Sequence, residues 1–270
     1  MKYLAYFHAV KYKAVFENLN FQMLIFFKNY QEHMKKLIQR VLNKIGLKLI
    51  EYPDKSQKRY NLIMKSQGIN TILDIGANTG QFGQAMRKLG FRGRIISFEP
   101  VTEAFDKLVQ NASSDENWVT LKYALGEDNG TSLINISGNS QSSSILEMLP
   151  QHIESAPASK YVAQEEIEIK TLDSVFDDLN GPDAQILLKV DTPGFEKSVL
   201  NGAASSLAKI SVIELELSLV PLYENGNLYT EMIEYLDDKG FDLYSFEEVF
   251  ADHKTGRLLQ FDGIFVNRNK

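Results

Sequence analysis

Two acidic residues that flank a glycine-rich turn are the first groups in this chain with the potential for chemistry. Asp74 lies just before Gly76 and Gly80, and Glu99 directly follows the next apolar run, Arg94–Phe98. Glycine removes the side chain where a backbone turns sharply or where a ligand comes close. A carboxylate ahead of such a turn repels a pyrophosphate and attracts a cation. A carboxylate at the end of the following strand accepts hydrogen bonds from both hydroxyls of a ribose. The pair therefore indicates a ligand that has a ribose and a positive charge but no phosphate.

The spacing of the glycines separates this turn from two common nucleotide loops. A dinucleotide loop has the pattern G-x-G-x-x-G, and a phosphate loop ends in lysine followed by serine or threonine. The run Gly76-x-x-x-Gly80-x-x-Gly83 has neither pattern. S-adenosylmethionine fits both the turn and the two acids. The alternative interpretation is that Asp74 caps a turn and that Glu99 is a surface acid.

A second pair of acids, Asp191 and Glu196, surrounds another predicted turn. Gln185–Asp191 is almost continuously apolar, as in a central buried strand, and Asp191 lies at its carboxyl end. Lys189 projects from the same face as Asp191. In methyl transfer from a sulfonium the protein aligns the acceptor and takes its proton, and a carboxylate directed at a hydroxyl group can do both. Asp191 and Glu196 are therefore candidate catalytic residues. The alternatives are that Asp191 orients a water or Lys189 and that Glu196 caps its helix.

The elements that position these acids alternate between strand and helix, as in a doubly wound sheet. Thr71–Leu73 predicts a buried strand, and the apolar residues after it predict a helix that Thr79 caps and Gly90 ends. Pro100 begins the next helix, which runs over Thr102–Asn111. Further strands are predicted at Trp118–Tyr123, Thr131–Ile136, Glu165–Lys170, Gln185–Asp191, Ser211–Leu217, Phe241–Glu247 and Gln260–Asn267.

Several short motifs make the chain, from about residue 70 to residue 267, similar to the FkbM-type methyltransferases. The motifs are Asp74–Gly80, Phe98–Pro100, Ala124–Glu127, Ser142–Ser144, Thr171–Asp173 and Lys189–Glu196. The first two alone indicate a class I methyltransferase, and the last narrows the resemblance to this family. The resemblance implies S-adenosyl-L-methionine as cofactor. It also implies an α/β, doubly wound, Rossmann-like class I methyltransferase sheet that is mostly parallel with an antiparallel last strand.

The residues and the resemblance together predict a cofactor site. Its members are Asp74, Gly76, Ala77, Asn78, Gly80, Phe82, Glu99, Pro100, Leu125 and Asp191. The family resemblance implies that the predicted turn Ala124–Glu127 borders the adenine through backbone groups and the Leu125 side chain.

The predicted acceptor site draws on three other parts of the chain. The resemblance places Ser142, Ser143 and Ser144 near the acceptor, although a serine cluster is more often a solvated loop. Glu216 lies near the crevice on the predicted fifth strand of the main sheet. His253 is a candidate base because an imidazole titrates near neutrality, with a surface turn as the alternative.

The composition excludes several function classes. The chain has 270 residues and no cysteine, which excludes a disulfide framework, a cysteine-based zinc site and a cysteine nucleophile. The four histidines do not pair at a metal-binding spacing, and no metal site is predicted.

The charge is unevenly distributed along the chain. Residues 1–60 contain twelve Lys and Arg and four acids, which gives a net charge of +8. Because the whole chain has a net charge of −6, the remaining residues carry −14. An acidic body argues against nucleic acid as a partner.

Three segments are predicted along the chain. Residues 1–50 form a basic amphipathic helical extension, residues 51–69 a connector and lead-in helix, and residues 70–270 the methyltransferase domain. The spacing of apolar residues in this extension predicts two helices, separated by a break near Asn29–Gln31. Its densest apolar run, Phe21–Phe27, is far shorter than the about 20 residues that a bilayer span requires.

Two interpretations of the extension stay open. It packs on the domain or on a second subunit, which predicts a homodimer, or it lies on an anionic membrane as a peripheral contact. The predicted location is the cytoplasm, with attachment to the inner face of the membrane in the second case. The cations that would face the headgroups are Lys28, Lys35, Lys36, Arg40 and Lys44.

The predicted function is transfer of a methyl group from S-adenosylmethionine to a hydroxyl oxygen of a glycan or another small molecule. Many relatives carry glutamine or an acid where this chain has Pro193, so a different acceptor specificity is expected. One rival is a nicotinamide-dependent oxidoreductase, against which the glycine spacing counts; Tyr161 and Tyr223 also lack the lysine of a Tyr-x-x-x-Lys motif. A second rival is an inactive membrane-associated scaffold, against which the intact Asp74 and Glu99 argue.

Overall fold

The computed structural model describes residues 29–30, 33–47 and 52–270. The chain divides into two compact units, Met1–Asp54 and Lys55–Lys270, which we describe separately. In the first unit, residues 29–30 and 33–43 are helical. The predictions for residues 1–28, which include Phe21–Phe27 and Lys28, lie outside the described residues, as does Gln31. In the ranges described, no helix is long and apolar enough to cross a membrane.

The second unit alternates strands and helices. Its strands, in chain order, are β1 (Thr71–Ile75), β2 (Arg94–Phe98), β3 (Trp118–Leu121), β4 (Ala124–Leu125), β5 (Gly130–Ser137), β6 (Tyr161–Lys170), β7 (Ile186–Val190), β8 (Ile210–Ser218), β9 (Phe241–Ala251) and β10 (Leu258–Asn267). Its α-helices are α1 (Lys55–Ser66), α2 (Gln81–Lys88), α3 (Thr102–Ala112), α4 (Pro150–Ser155), α5 (Leu172–Leu179), α6 (Glu196–Asn201) and α7 (Tyr229–Asp238).

The main sheet has seven strands in the order β3-β2-β1-β7-β8-β10-β9. Every neighbouring pair from β3 to β8 is parallel, and β10 runs antiparallel to both β8 and β9. The predicted mostly parallel sheet with an antiparallel last strand is therefore confirmed. The strand order reverses between β1 and β7, and in open α/β sheets the crevice for ligands lies outside the carboxyl ends of the strands at such a switch point.

The two faces of the sheet carry separate apolar cores. Ile72 in β1 packs with Ile63 and Met64 of α1 and with Met86 of α2, whereas Leu73 faces the core that α5, α6 and α7 cover. Successive residues of a strand point to opposite faces, so Asp74 shares the α1–α2 face with Ile72. This face is apolar in the middle of the sheet and becomes polar at the carboxyl ends of the strands.

A small second sheet joins β4, β6 and β5 in that order. The segment Ala124–Glu127, predicted as a turn, instead begins with the two-residue strand β4, which pairs with β6. The predicted extra strands Thr131–Ile136 and Glu165–Lys170 are present and longer, as β5 and β6. Their apolar residues Ile134, Ile167 and Ile169 pack on Val101 and Ala104, which keeps this sheet beside the start of α3.

The start of α2 differs from the prediction. The N-cap is Gly80, with a φ of 87°, and no side chain caps the helix, so the predicted cap at Thr79 is wrong. Asn78 has a left-handed backbone conformation, with a φ of 48°. Its side chain accepts a hydrogen bond from the Thr79 backbone N–H. Gly90, with a φ of 96°, follows the end of α2 as predicted.

Candidate active site

The turn after β1 brings two strand ends together. The backbone N–H groups of Gly76 and Ala77 both donate to the carbonyl of Phe98, at 3.1 and 3.0 Å. Gly76 has a φ of 77°, and a Cβ built on it would overlap the carbonyl oxygen of Asp191. Glycine is therefore required here both by the left-handed backbone and by the close approach of the loop after β7.

Glu99 is held by the same turn. One carboxylate oxygen accepts a hydrogen bond from the Asn78 N–H at 2.8 Å, and the other accepts one from the Val101 N–H at 2.9 Å. Burial raises the pKa of Glu99 to about 7, although these two hydrogen bonds favour the ionised form. Each oxygen keeps a lone pair that a ligand hydroxyl can use.

A row of polar residues crosses four neighbouring strands. Ser97 in β2 pairs in register with Asp74 in β1, Asp74 with Lys189 in β7, and Lys189 with Glu214 in β8. Ser97 donates to Asp74 at 3.0 Å, and the indole N–H of Trp118 donates to Ser97 at 3.0 Å. The row therefore replaces apolar packing with hydrogen bonds and charge at this edge of the sheet.

Lys189 is the centre of this row. Its ammonium group lies 2.9 Å from Asp191 Oδ2 and 3.7 Å from Asp74 Oδ1, and it sits 5.2 Å from the centre of the Phe82 ring. Burial disfavours the charged amine, but the carboxylates of Asp191, Asp74 and Glu214 outweigh this and raise the pKa of Lys189. The lysine therefore stays cationic and fixes the position of Asp191, whose side chain is 43% exposed.

Further acids lie beside the row on β8 and β10. Glu216 pairs in register with Asp262, and the Gln260 side-chain amide donates to Glu216 Oε2 at 2.7 Å. Burial, followed by the charges of Asp191, Glu196 and Asp262, raises the pKa of Glu216 well above its usual range. Burial likewise raises the pKa of Asp262 to about 8. The carboxyl groups around Lys189 outnumber this one cation, so the site favours protonation of some carboxyls or binding of a cationic ligand.

These strand ends open into one cavity of about 490 Å³. It is lined from β2 across to β10, which are four strand spacings apart, or roughly 19 Å. At the β2 end the walls are Glu99, Pro100 and Leu125, and at the β10 end they are Glu216, Gln260 and Tyr223. Asp191 lies between the two ends because β7 is between β2 and β10 in the sheet.

Most of the residues predicted from the sequence line this cavity. They are Gly76, Ala77, Asn78, Phe82, Glu99, Pro100, Leu125, Ser142, Ser143, Ser144, Asp191 and Glu216. The serine loop reaches the cavity through two contacts. The side-chain amide of Asn78 donates to the Ser140 carbonyl at 3.0 Å, and the Ser144 hydroxyl donates to the Pro193 carbonyl at 2.6 Å.

Four predicted residues do not line it. Asp74 is fully buried behind the turn, where it contacts Lys189 instead of the cavity. Gly80 lies against the Leu108 and Trp118 side chains. Glu196 is buried and accepts a hydrogen bond from the Gly194 N–H at 3.1 Å, and burial raises its pKa to about 8. Glu196 is the first residue of α6, whose N-cap is Phe195 and which has no side-chain cap, so the alternative in which Glu196 caps its helix is not observed. The catalytic role of Glu196 stays a prediction.

His253 is the fourth. It is exposed, and its Nδ1 lies 3.2 Å from the Ser155 carbonyl, outside the cavity. Its position matches the surface turn that was the alternative. A Tyr-x-x-x-Lys spacing does occur at Tyr235 and Lys239, but it lies in and just after α7, away from the cavity.

Sequence reasoning missed the histidine that does line the cavity. His152 on α4 is 4% exposed, and its ring lies 5.2 Å from the ring centres of both Tyr223 and Phe250. Within the described residues, its Nδ1 has no hydrogen-bond partner. Burial lowers its pKa to about 4, so it is neutral at neutral pH. No local motif marks it, because its neighbours come from distant parts of the chain.

Two further observations bear on the chemistry of the cavity. Of the residues that the structure describes, Lys189 is the one lysine or arginine in its lining. Among those same residues, no group of three or more histidine, cysteine, aspartate or glutamate side chains is arranged to hold a metal ion.

A family model described as a methyltransferase FkbM domain matches residues 74–243. No curated protein sequence matches the chain. Among similar solved structures is a precorrin-6y C5,15-methyltransferase from Geobacter metallireducens, at 13% identity and a TM-score of 0.42, with 82% of this chain and 92% of that chain covered. Another is fibrillarin from Aeropyrum pernix with bound S-adenosyl-L-methionine, at 12% identity and a TM-score of 0.41, with coverage of 77% and 74%. A third is a TehB-like SAM-dependent methyltransferase from Corynebacterium glutamicum, at 12% identity and a TM-score of 0.38, with coverage of 89% and 97%.

Proposed function

The chain belongs to the FkbM methyltransferase family, and from that premise we propose that it methylates a hydroxyl oxygen of a sugar or another small molecule. The cofactor is S-adenosylmethionine. The observation that carries the proposal is the position of Asp191, which lies inside the cavity at the carboxyl end of β7 and is held there by Lys189. The matched residues 74–243 include both of these groups and the turn that holds Glu99.

The residues at the β2 end of the cavity fit this cofactor. Glu99 offers a carboxylate with free lone pairs for the ribose hydroxyls, and the buried Leu125 offers an apolar wall for the adenine. Beside Asp191, the hydroxyl of Thr192 is buried and has no hydrogen-bond partner among the described residues, so it has unused capacity for a ligand. The cofactor supplies an electrophilic methyl group on a sulfonium, and the excess of carboxyls over lysine in this cavity favours a cation.

Asp191 has the properties that the acceptor step needs. Its carboxylate can accept a hydrogen bond from the acceptor hydroxyl, which orients the oxygen toward the methyl group and removes its proton as the new bond forms. Lys189 keeps one oxygen of this carboxylate in place, so the other oxygen is left for the acceptor.

The β10 end of the cavity is the proposed acceptor site. Glu216 and Gln260 supply polar contacts, while the Tyr223 and Phe250 rings around His152 supply the flat apolar surfaces that sugars pack against. Among the described residues, Lys189 is the one lysine or arginine that lines the cavity, and it is already paired with two aspartates. The acceptor is therefore expected to lack a phosphate.

The test begins with calorimetric titration of the full-length protein with S-adenosylmethionine, S-adenosylhomocysteine and NAD. The two adenosyl ligands are expected to bind and NAD is not. Methyl incorporation is then measured over a panel of neutral glycosides and their phosphorylated counterparts, with turnover expected only among the neutral ones. Binding of NAD alone would contradict the assignment of the cofactor.

The role of Asp191 is tested with Asp191→Asn. We expect methyl transfer to fall about 10²- to 10⁴-fold, as for loss of a general base. Asp177→Asn is the matched control, because Asp177 also pairs with a lysine, Lys209, at 2.8 Å, but on the surface. Retained turnover in Asp191→Asn would place the base elsewhere, whereas retained binding without turnover in the wild type would favour an inactive protein.

A further inference from the structure

The helical segment of the first unit carries an apolar face that the structure leaves exposed. Leu37, Ile38, Val41 and Ile45 are 48%, 44%, 59% and 67% exposed. At 3.6 residues per turn these positions fall on one side of the helix and its last turn. By comparison, Leu108 of α3 and Leu236 of α7 in the second unit are fully buried. A face of this kind requires a partner.

The charge around that face is of one sign. Lys36, Arg40 and Lys44 repeat every four residues along one flank, and Lys35 lies on the other. Residues 33–47 contain no aspartate or glutamate. The segment thus combines an apolar stripe with cations on both flanks, while residues 61–270 carry a net charge of −14.

We propose that residues 33–47 form a docking surface for an anionic lipid bilayer. The apolar side chains would enter the boundary between headgroups and acyl chains, and the cations beside them would contact lipid phosphates. Charge complementarity selects this occupant. A second copy of the segment would bring the two sets of cations side by side with no acid in the segment to neutralise them, whereas a neutral apolar partner would leave the cations without a function.

The proposal is tested by co-sedimentation of the full-length protein with vesicles of phosphatidylcholine alone and of phosphatidylcholine mixed with phosphatidylglycerol. We expect binding to the mixed vesicles, at least about tenfold weaker binding to neutral ones, and release by high salt because ionic strength screens the headgroup attraction. Equal binding to both kinds of vesicle, or binding to neither, would overturn it.

Variants separate the two halves of the surface. The double variant Val41→Ala/Ile45→Ala removes apolar area without weakening the helix, because alanine is the strongest helix former. The double variant Arg40→Gln/Lys44→Gln removes charge. Each is expected to weaken partition into the vesicles at least about tenfold. Val162→Ala is the control, because Val162 is a 69% exposed valine on β6 of the second unit. Wild-type partition in either double variant would contradict the proposal.

The competing occupant, a second copy, is tested by sedimentation equilibrium without lipid. A monomer is expected. A dimer that Val41→Ala/Ile45→Ala converts to a monomer would assign this face to self-association and overturn the membrane proposal. None of these measurements depends on cofactor or acceptor, so their outcome is independent of the proposed methyltransferase activity.

Discussion

At the scale of single residues, three acids that the sequence makes equally prominent differ in whether they line the cavity. Asp74 and Asp191 both contact Lys189, but only Asp191 lines the cavity. Glu196 is buried and accepts a hydrogen bond from the Gly194 backbone N–H. Carboxyls that are equally prominent in the sequence therefore divide into one that can contact a ligand and two that hold the site together.

The Glu99 carboxylate is expected to contribute to S-adenosylmethionine binding. Glu99→Gln is expected to weaken S-adenosylmethionine binding about 10- to 100-fold, since hydrogen bonds to a charged group contribute about 1.5–3 kcal/mol. In this variant one amide N–H of the turn would also face the NH₂ group of the glutamine, because both carboxylate oxygens accept backbone N–H groups in the wild type. Calorimetry checks it, with Glu103→Gln, at an exposed residue on α3, as the control.

The same side chain predicts a pH dependence of binding. Because burial raises the pKa of Glu99 to about 7, only part of the protein carries the ionised form at neutral pH. The ionised form accepts both ribose hydroxyls, so affinity is expected to rise as the pH increases through about 7 and to level off above it. Titrations from pH 6 to pH 8 test this, and an unchanged slope in Glu99→Gln would assign the dependence to another group.

At the scale of elements, the site depends on how closely three strand ends approach one another. The turn after β1 contacts the end of β2 through the Phe98 carbonyl and the end of β7 through the Asp191 backbone. The positions of Glu99 and Asp191 are consequently coupled through Gly76, which lies between them.

Gly76→Ala tests this coupling. The left-handed φ of 77° and the overlap with the Asp191 carbonyl each add strain, and together they are expected to lower the free energy of unfolding by about 2–5 kcal/mol. Urea denaturation measures the change. Gly130→Ala is the control, because the space around Gly130 is open, and it should change the free energy by less than about 1 kcal/mol. Similar stabilities of the two variants would show that the loops move apart freely.

At the scale of the whole molecule, the described catalytic unit concentrates buried acids at one edge of its main sheet. Burial raises the pKa values of Asp74, Glu196, Glu214 and Glu216, and that of Asp262 to about 8. A raised carboxyl pKa means that the folded state binds protons more tightly than the unfolded state does, so stability is lost as the pH rises through the folded pKa.

The free protein is therefore expected to become less stable to heat between about pH 5 and pH 8. For Glu196 the window runs from its ordinary value of 4.5 to about 8, and Glu196→Gln should remove a loss on the order of a few kcal/mol across it. The variant keeps the oxygen that accepts the Gly194 N–H. Melting temperatures measured against pH check this, with the exposed Glu116→Gln as the control. Parallel curves for Glu196→Gln and wild type would contradict it.

Much of the fold follows from local patterns. The apolar runs of β1, β2, β7 and β8 agree with the structure, because a strand that is buried on both faces needs apolar side chains on both. The glycine that follows α2 agrees as well. The antiparallel last strand, which the family resemblance implies, is also present. The predicted helix cap at Thr79 and the predicted turn at Ala124 were wrong. The chain enters α2 through Gly80 in a left-handed conformation with no side-chain cap, and β4 forms because it pairs with β6, which is distant in the chain. The domain boundaries and the function of the first unit stay predictions.

By itself, the sequence determined that Glu99 follows the second strand and that Asp191 ends a central strand, because strand direction places both at one edge of a parallel sheet. Only the tertiary structure decided that Asp74 and Glu196 lie outside the cavity, that His253 is on the surface and that His152 is enclosed by Tyr223 and Phe250. The reason is physical. Periodicity in a sequence sets which face of an element a side chain occupies, whereas contact with a ligand depends on burial, and burial is set by segments that are distant in the chain.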